Sequence, residues 1–324
     1  MMIFADCKPA RAAWVAATVA MLMLWSGCGG SSSSSTTGST TPPTDPPPAS
    51  SQVGHVFIVI GENEGYDDIL NSTSMPYLNG LVPTGGLATN YYANAHDSLL
   101  DYFEVTVGNT IAMDDSYDGT VMDDNVVRAL TAAGKTWKCY SQSLPSAGYI
   151  DGDSYPYVKR HDPFAYLADV KNDAAQAANI VPLTQLATDT ANGTLPDYAF
   201  IVPDQTHNAH DCPTANSSCS NDDKLGALDS WLSANISPLL ASSTFQSGGD
   251  GVMIITFDEA MTTDTTNGGG HVFTLFLGPV VKAGYQSTTL YQHQSALRFA
   301  LQQLGAQDFP GDSATAPDMT EFLQ

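Results

Sequence analysis

The sequence predicts an α/β fold, a three-layer α/β/α sandwich around a mainly parallel central sheet. Three observations predict it. Apolar runs rich in β-branched residues recur without alternating with polar ones, as suits strands covered on both faces. Stretches of helical period lie between them and stop at glycines. Several runs end abruptly in acids, amides or histidines, and open α/β sheets gather their ligands beyond the carboxyl ends of the strands.

In chain order, the N-terminus reads as a targeting segment. Lys8 and Arg11 precede the apolar stretch "AAWVAATVAMLMLW", which is short for a membrane span. "LWSGC" then resembles a bacterial lipobox, which makes 1–27 a signal peptide and Cys28 a lipidated first residue. Trp25 leaves ordinary secretory cleavage as the alternative. The expected location is outside the cytoplasm, as a lipoprotein on a bacterial cell envelope, or otherwise periplasmic or secreted. Residues 28–52 are Ser, Thr, Pro and Gly with almost no apolar content, which makes them a tether. One folded domain is expected over 53–324.

The predicted strands are "HVFIVI" (55–60), "KTWKCY" (135–140), "DYAFIV" (197–202), "GVMIITF" (251–257) and "HVFTLFLG" (271–278). Helical patterns fall at "VVRALTAAG" with Gly134 as its stop, "IVPLTQLATDTANG" stopping at Gly193, "GALDSWLSANISPLL", and "SALRFALQQLG" ending at Gly305. A further helix is expected after Ser98, where Leu99, Tyr102, Phe103 and Val107 share one face.

Composition narrows the partners. The chain has 324 residues, 43% of them hydrophobic, enough for a sizeable core. The formal net charge of -23 repels nucleic acid and makes an anionic bilayer a poor electrostatic partner. Contact with a membrane is therefore expected through the N-terminal lipid anchor alone. Of five cysteines, Cys212 and Cys219 bracket "CPTANSSC", where export makes a small disulfide plausible, and Cys139 is left as a buried thiol.

The chemistry is expected at the strand ends. The first strand delivers Glu62 and Asn63, and "ITFDE" delivers Asp258 and Glu259. These four form an oxygen-rich set suited to a hard divalent cation, which would relieve the repulsion between the carboxylates. "FIVPDQTHNAHD" delivers Asp204, His207, His210 and Asp211. Ser98 opens a helix, either as an ordinary N-cap or as a nucleophile where backbone N–H groups favour phosphoryl oxygens. His96 lies two residues before it, and spacing alone gives it no role. His271 follows "TNGGG", whose glycines would let a ligand approach the backbone closely. His161 stands in "YVKRHDPF" as either a buried structural residue or a site residue.

Together these segments resemble the bacterial and fungal phosphoesterase family of acid phosphatases and phospholipase C-type enzymes. The matches run in order: "FIVIGEN", "HDSLLDYFEVTVG", "GKTWKCYSQSLP", "YVKRHDPFAYL", "LPDYAFIVPDQTHNAHD", "VMIITFDEA", "GGGHVFTLFLGPVVKAG" and "YQHQSALRFALQQLG". The resemblance covers about Val53 to Gly305 and implies an alkaline-phosphatase-like fold. It implies a divalent metal cation, Ca, Mg, Mn or Zn, on Glu62, Asn63, Asp258 and Glu259. It implies Ser98 as nucleophile, with His210 and His271 in catalysis. His161 and Asp211, and by position Asp101 and Asp204, fall in the phosphate- or substrate-binding set. The family carries asparagine where this chain has Asp101 and Asp204, and an ionised aspartate cannot donate to a phosphoryl oxygen. The implied substrate is a small phosphomonoester or a phospholipid headgroup. A phospholipase C-type phosphodiesterase, or a non-catalytic surface lipoprotein on the same fold, is the alternative.

Overall fold

The computed structural model describes residues 53–213 and 218–324. The expected signal peptide and tether, 1–52, lie outside the described residues. Ten strands are described: β1 (His55–Gly61), β2 (Gly86–Ala88), β3 (Tyr91–Tyr92), β4 (Trp137–Ser141), β5 (Ile180–Pro182), β6 (Tyr198–Val202), β7 (Gly251–Phe257), β8 (Thr274–Leu277), β9 (Tyr285–Ser287) and β10 (Tyr291–Gln292). Eight of them form one sheet in the order β5-β4-β6-β1-β7-β8-β2-β9, and β3 pairs with β10. Neighbours run parallel except at β8, which is antiparallel to both β7 and β2.

The central strands are apolar because both their faces are covered. Every residue of β6 and β7 is buried, as is every residue of β1 after His55. Helices pack on the sheet, the longest being Asn221–Leu240 and His293–Gln303. Asn221–Leu240 starts five residues before the apolar pattern predicts. Ser220 and Asp223 form a capping box there, each side chain bonding the other's backbone N–H. The helix predicted from Ile180 is shorter than expected: Ile180–Pro182 is the edge strand β5, and the helix runs Thr184–Asn192 to Gly193, which adopts the left-handed φ of +65°. Three apolar residues beside a helical pattern give periodicity no means of separating them.

Register places the chemistry. Gly61 pairs with Phe257 and Val59 with Ile201. Continued along parallel neighbours, these registers bring Glu62 beside Asp258 on one flank and level with Asp204 on the other. The Asp258 N–H donates to Gly61 O at 3.1 Å, and the Glu62 N–H donates to Asn208 O at 2.8 Å. Cys212 and Cys219 are bonded, with Cα atoms 5.7 Å apart, and Cys139 is a buried free thiol on β4.

Candidate active site

Glu62 leaves β1 fully buried and is met by two hydroxyls from one helix. Ser98 Oγ donates to Glu62 Oε2 at 3.0 Å and Tyr102 OH donates to Oε1 at 3.1 Å. Ser98 and Tyr102 are four residues apart on helix Ser98–Thr106, so one face presents both. Asp258 accepts the Asn63 N–H at 2.9 Å and the Glu259 N–H at 2.7 Å, both through Oδ1. Its Oδ2 and Asn63 Oδ1 are buried without a partner. Burial raises the pKa of Glu62, and burial with the Glu62 charge raises that of Asp258 well above the carboxylate range. Glu259 is pushed up to about 8 by burial and then by the Asp258 charge, although a short contact to His96 Nδ1 opposes this.

These oxygens fit a hard divalent cation in kind: two carboxylates, an amide and a hydroxyl, two of them with unmet demand. Glu259 is the exception in the expected set, because its carboxylate is turned to His96. Among the described residues no group of three or more His, Cys, Asp or Glu side chains is arranged to hold a metal. The fit therefore rests on the mixed oxygen set around Glu62, Asn63 and Asp258.

Ser98 is not a cap. The N-cap position is Asp97, no side chain caps this helix, and the serine hydroxyl turns to Glu62 instead. Asp97 has φ +81°, Asn63 +53° and Ala209 +82°. Each adjoins a site residue: Ser98, Glu62 and His210. Non-glycine residues rarely accept this region, and such strain persists where surroundings enforce it.

The three expected histidines are placed differently. His161 is buried, stacks on Tyr102 at 5.1 Å, and sets Nε2 2.9 Å from Glu62 Oε1, though neither ring nitrogen makes a hydrogen bond. Burial, and then the Arg160 charge, hold its pKa well below the imidazole range. His210 is half-buried, pairs through Nδ1 with Asp211 Oδ1 at 2.7 Å, and its charge lowers the pKa of Glu62. His271 is stacked between Tyr66 (4.3 Å) and Tyr92 (5.0 Å), with Nε2 3.2 Å from Thr89 O, and none of these contacts is with Ser98 or the acids. The glycines before it admit backbone rather than a ligand. A Cβ on Gly268 would meet Asn94 O, and one on Gly269 would meet Ala95 O, each at 1.9 Å.

Asp101 and Asp204, expected in the substrate-binding set, both make bracing hydrogen bonds within the chain. Asp101 is fully buried and its Oδ1 accepts the N–H groups of Asn94 (2.7 Å) and Ala95 (3.3 Å), closing the loop that leads into Ser98. Burial raises its pKa well above the carboxylate range. Asp204 accepts from Ser143 Oγ (2.7 Å), from Thr206 N (3.1 Å) and Oγ1 (2.8 Å), and pairs with His207 Nδ1 (2.7 Å). Asp211 accepts from Tyr155 OH at 3.1 Å as well as pairing with His210.

Sequence reasoning missed Tyr102, Arg160 and His293 as site residues and left His96 without a role. His96 anchors Glu259 and contacts Asp264 O at 2.9 Å. His293 Nε2 donates to Asp258 O at 2.6 Å, while Tyr91 OH donates to its Nδ1 at 3.2 Å. Burial brings its pKa to about 4, so it is neutral. Tyr102 had a readable signal, the four-residue spacing from Ser98. A cavity of about 780 Å³ between helices Thr184–Asn192 and Asn221–Leu240, lined by Leu183, Leu186 and Leu239, reaches Ser143, which bonds Asp204, but none of Glu62, Ser98 or Asp258.

Comparison with known proteins bears on the family and the fold. An acid phosphatase of Aspergillus fumigatus is 29% identical over 248 residues, covering 73% of this chain and 51% of that protein. The chain thus spans about half the length of this fungal relative. A phosphatidylinositol-3-phosphatase of Mycobacterium tuberculosis is 24% identical over 271 residues, covering 83% of this chain and 82% of that one. Among solved structures, a protein of the alkaline phosphatase superfamily from Vibrio parahaemolyticus matches with a TM-score of 0.57 at 12% identity, over 84% of this chain and 73% of that one. The fold is accordingly alkaline-phosphatase-like. Matched over residues 69–305 to the model of the Phosphoesterase family, the chain belongs to that family.

Proposed function

We propose that this chain is an exported, cation-dependent phosphomonoester hydrolase that acts through a phosphoserine at Ser98. The observation that carries the reading is the Ser98 hydroxyl, which leaves its helix uncapped to donate to Glu62 in a pit of unmet oxygen demand. Glu62, Asn63 and Asp258 would hold the divalent cation. When bound, it would neutralise the carboxylates, favour the serine alkoxide and polarise a phosphoryl oxygen.

The protein's own groups supply the rest. Ser98 passes its proton to Glu62, which already accepts its hydrogen bond, Oγ bonds to phosphorus as the ester P–O bond breaks, and the departing oxygen takes a proton. His210 suits that donation, because Asp211 orients its Nδ1 and the ring is half open to solvent. Water then attacks phosphorus, returning a proton to His210, and the P–Oγ bond breaks as Ser98 recovers its proton from Glu62. Neutral, buried His161 stays beside Glu62 as a contact group. Tyr102 and His293 hold Glu62 and the Asp258 backbone in place. Asp101 fixes the loop ahead of the nucleophile, so its presence in place of asparagine does not oppose phosphate at Ser98.

Acid phosphatases and a phosphatidylinositol phosphatase among the relatives favour monoester over diester substrates. The expected signal and lipobox support export. The test compares wild type with Ser98→Ala on p-nitrophenyl phosphate and on vesicles containing phosphatidylinositol 3-phosphate, with and without chelator. Loss of turnover in the variant and with chelator is expected. Equal rates throughout would overturn the proposal, and the preferred substrate arm separates a soluble ester from a lipid one.

A further inference from the structure

Two kinds of unmet demand surround Ser98. On one side are buried oxygens without partners, Asn63 Oδ1, Asp258 Oδ2 and Asp101 Oδ2. On the other are nitrogens, Arg160 Nε and both ring nitrogens of His161, on two consecutive residues. Buried polar groups are normally bonded, and an unfilled N–H, of which Arg160 Nε has one and the neutral His161 ring one, calls for an acceptor or an anion. His161 is only 2% exposed, and its Nε2 faces the Glu62 carboxylate to which Ser98 donates. The His161 ring therefore lies beside the carboxylate that holds the nucleophile.

Arg160 is held there by Asp115. Asp115 Oδ1 accepts the Leu99 N–H at 2.9 Å, and its Oδ2 is 3.3 Å from Arg160 Nε, without hydrogen-bond direction. One carboxylate thus ties the guanidinium to the first turn of the nine-residue Ser98 helix. The turn Lys159–His161 packs on that helix. Lys159 is turned elsewhere, toward Asp118 and the Tyr166 ring. The Arg160 charge is felt at Glu62, Tyr102 and His161.

We infer that Arg160, positioned by Asp115, binds the phosphoryl group at Ser98 and makes this site select phosphomonoesters over phosphodiesters. The inference rests on the phosphatase reading above. A monoester carries a second ionisable oxygen with a pKa near 6, which a diester lacks. In a pit lined by carboxylates that extra negative charge must be offset. A guanidinium fork matches two phosphoryl oxygens at once, whereas a lysine offers a point charge.

The experiment measures inorganic phosphate binding by calorimetry on the full chain, for wild type, Arg160→Gln, Arg160→Lys and Asp115→Asn. It is paired with kcat/KM on p-nitrophenyl phosphate and bis(p-nitrophenyl) phosphate. Arg160→Gln is expected to weaken phosphate binding about 10- to 100-fold, the range for a hydrogen bond to a charged group. The monoester-to-diester ratio should fall by a similar factor. Arg160→Lys should fall between Gln and wild type, and Asp115→Asn should weaken phosphate less than Arg160→Gln. Equal phosphate binding by wild type and Arg160→Gln overturns the inference, as does an unchanged ester ratio. The phosphate measurement needs no turnover. A wild type that binds phosphate through Arg160 but hydrolyses neither ester would refute the proposed activity and leave the anion site standing.

Discussion

Asp258 and Asp204 occupy mirror positions, one beyond each strand that flanks β1, yet they behave in opposite ways. Both are nearly or wholly buried. Asp258 gathers backbone donors on one oxygen and leaves the other bare, and its pKa is driven up. Asp204 also suffers desolvation, but Ser143, Thr206 and His207 supply donors to both oxygens, and its pKa is lowered. Burial sets the cost of a charge, and the number of donors decides whether it is met. An acid left short of donors at a strand end is poised for something from outside the chain, while a saturated one is masonry.

That contrast can be attacked directly. The largest effect should come from Asp258→Asn. It should lower phosphatase activity by more than the about 10- to 100-fold typical of a group one step removed from a metal. It should also abolish the rise in melting temperature on adding divalent cation. Retained cation stabilisation would mean that the bare oxygen is not a cation ligand.

Asp204→Ala should act on stability first, costing about 2–3 kcal/mol at pH 7 by stranding its donors. The folded pKa of Asp204 lies below its ordinary value, so its contribution is present above that value and is lost as pH falls through the folded pKa. Denaturant melts at pH 7 and pH 3 should therefore differ more for wild type than for the variant. A pH-independent cost would remove the ionised brace from the account.

Glu104 sharpens the same rule away from the site. On the Ser98 helix it is 5% exposed with Oε2 unpartnered, and burial, then Asp312, push its pKa up to about 7. A raised carboxyl contributes least above its folded pKa, so wild-type stability should fall as pH rises from about 4.5 to 7. Glu104→Gln should recover up to about 3 kcal/mol above pH 7 and little at pH 4.5, on a scale of 1.36 kcal/mol per pKa unit. Identical pH curves for the two proteins would refute this. The smallest effect is expected from Cys212→Ser with Cys219→Ser. The loop is short, and loop-entropy arithmetic gives a cost of about 2 kcal/mol. Calorimetric melts of the oxidised wild type and the double variant check it, and no shift at all would deny the bond a share in holding the Asp204 side.

The central layer of the molecule was legible in the sequence because strands buried on both faces are long and unbroken. The strands β1, β6 and β7 fall where their apolar runs predict. Three-residue pieces such as β2, β5 and β9 were not legible, since so short a run carries no period and exists only through its neighbours. Glu62, Asn63, Ser98 and Asp258 could be read as a group from their positions at strand and helix ends. Arg160 could not, because what gives it meaning is Asp115, forty-five residues away in sequence and in no repeating pattern with it. The contacts of Asp101 and His271 were not legible for a related reason. Sequence shows that a polar residue is present, but not whether backbone groups have already claimed it.

The backbone at Asn63, Asp97 and Ala209 bears on how this protein can be improved. Glycine relaxes a left-handed backbone, and these three are among the seven described non-glycine residues where it would do so. A selection for heat resistance alone should be drawn to them. Winners at Asp97 and Ala209 would loosen the joints that aim Ser98 and His210, and one at Asn63 would delete a proposed cation ligand, so hardier variants from such a library should be slower catalysts, a trade often met when active sites store strain.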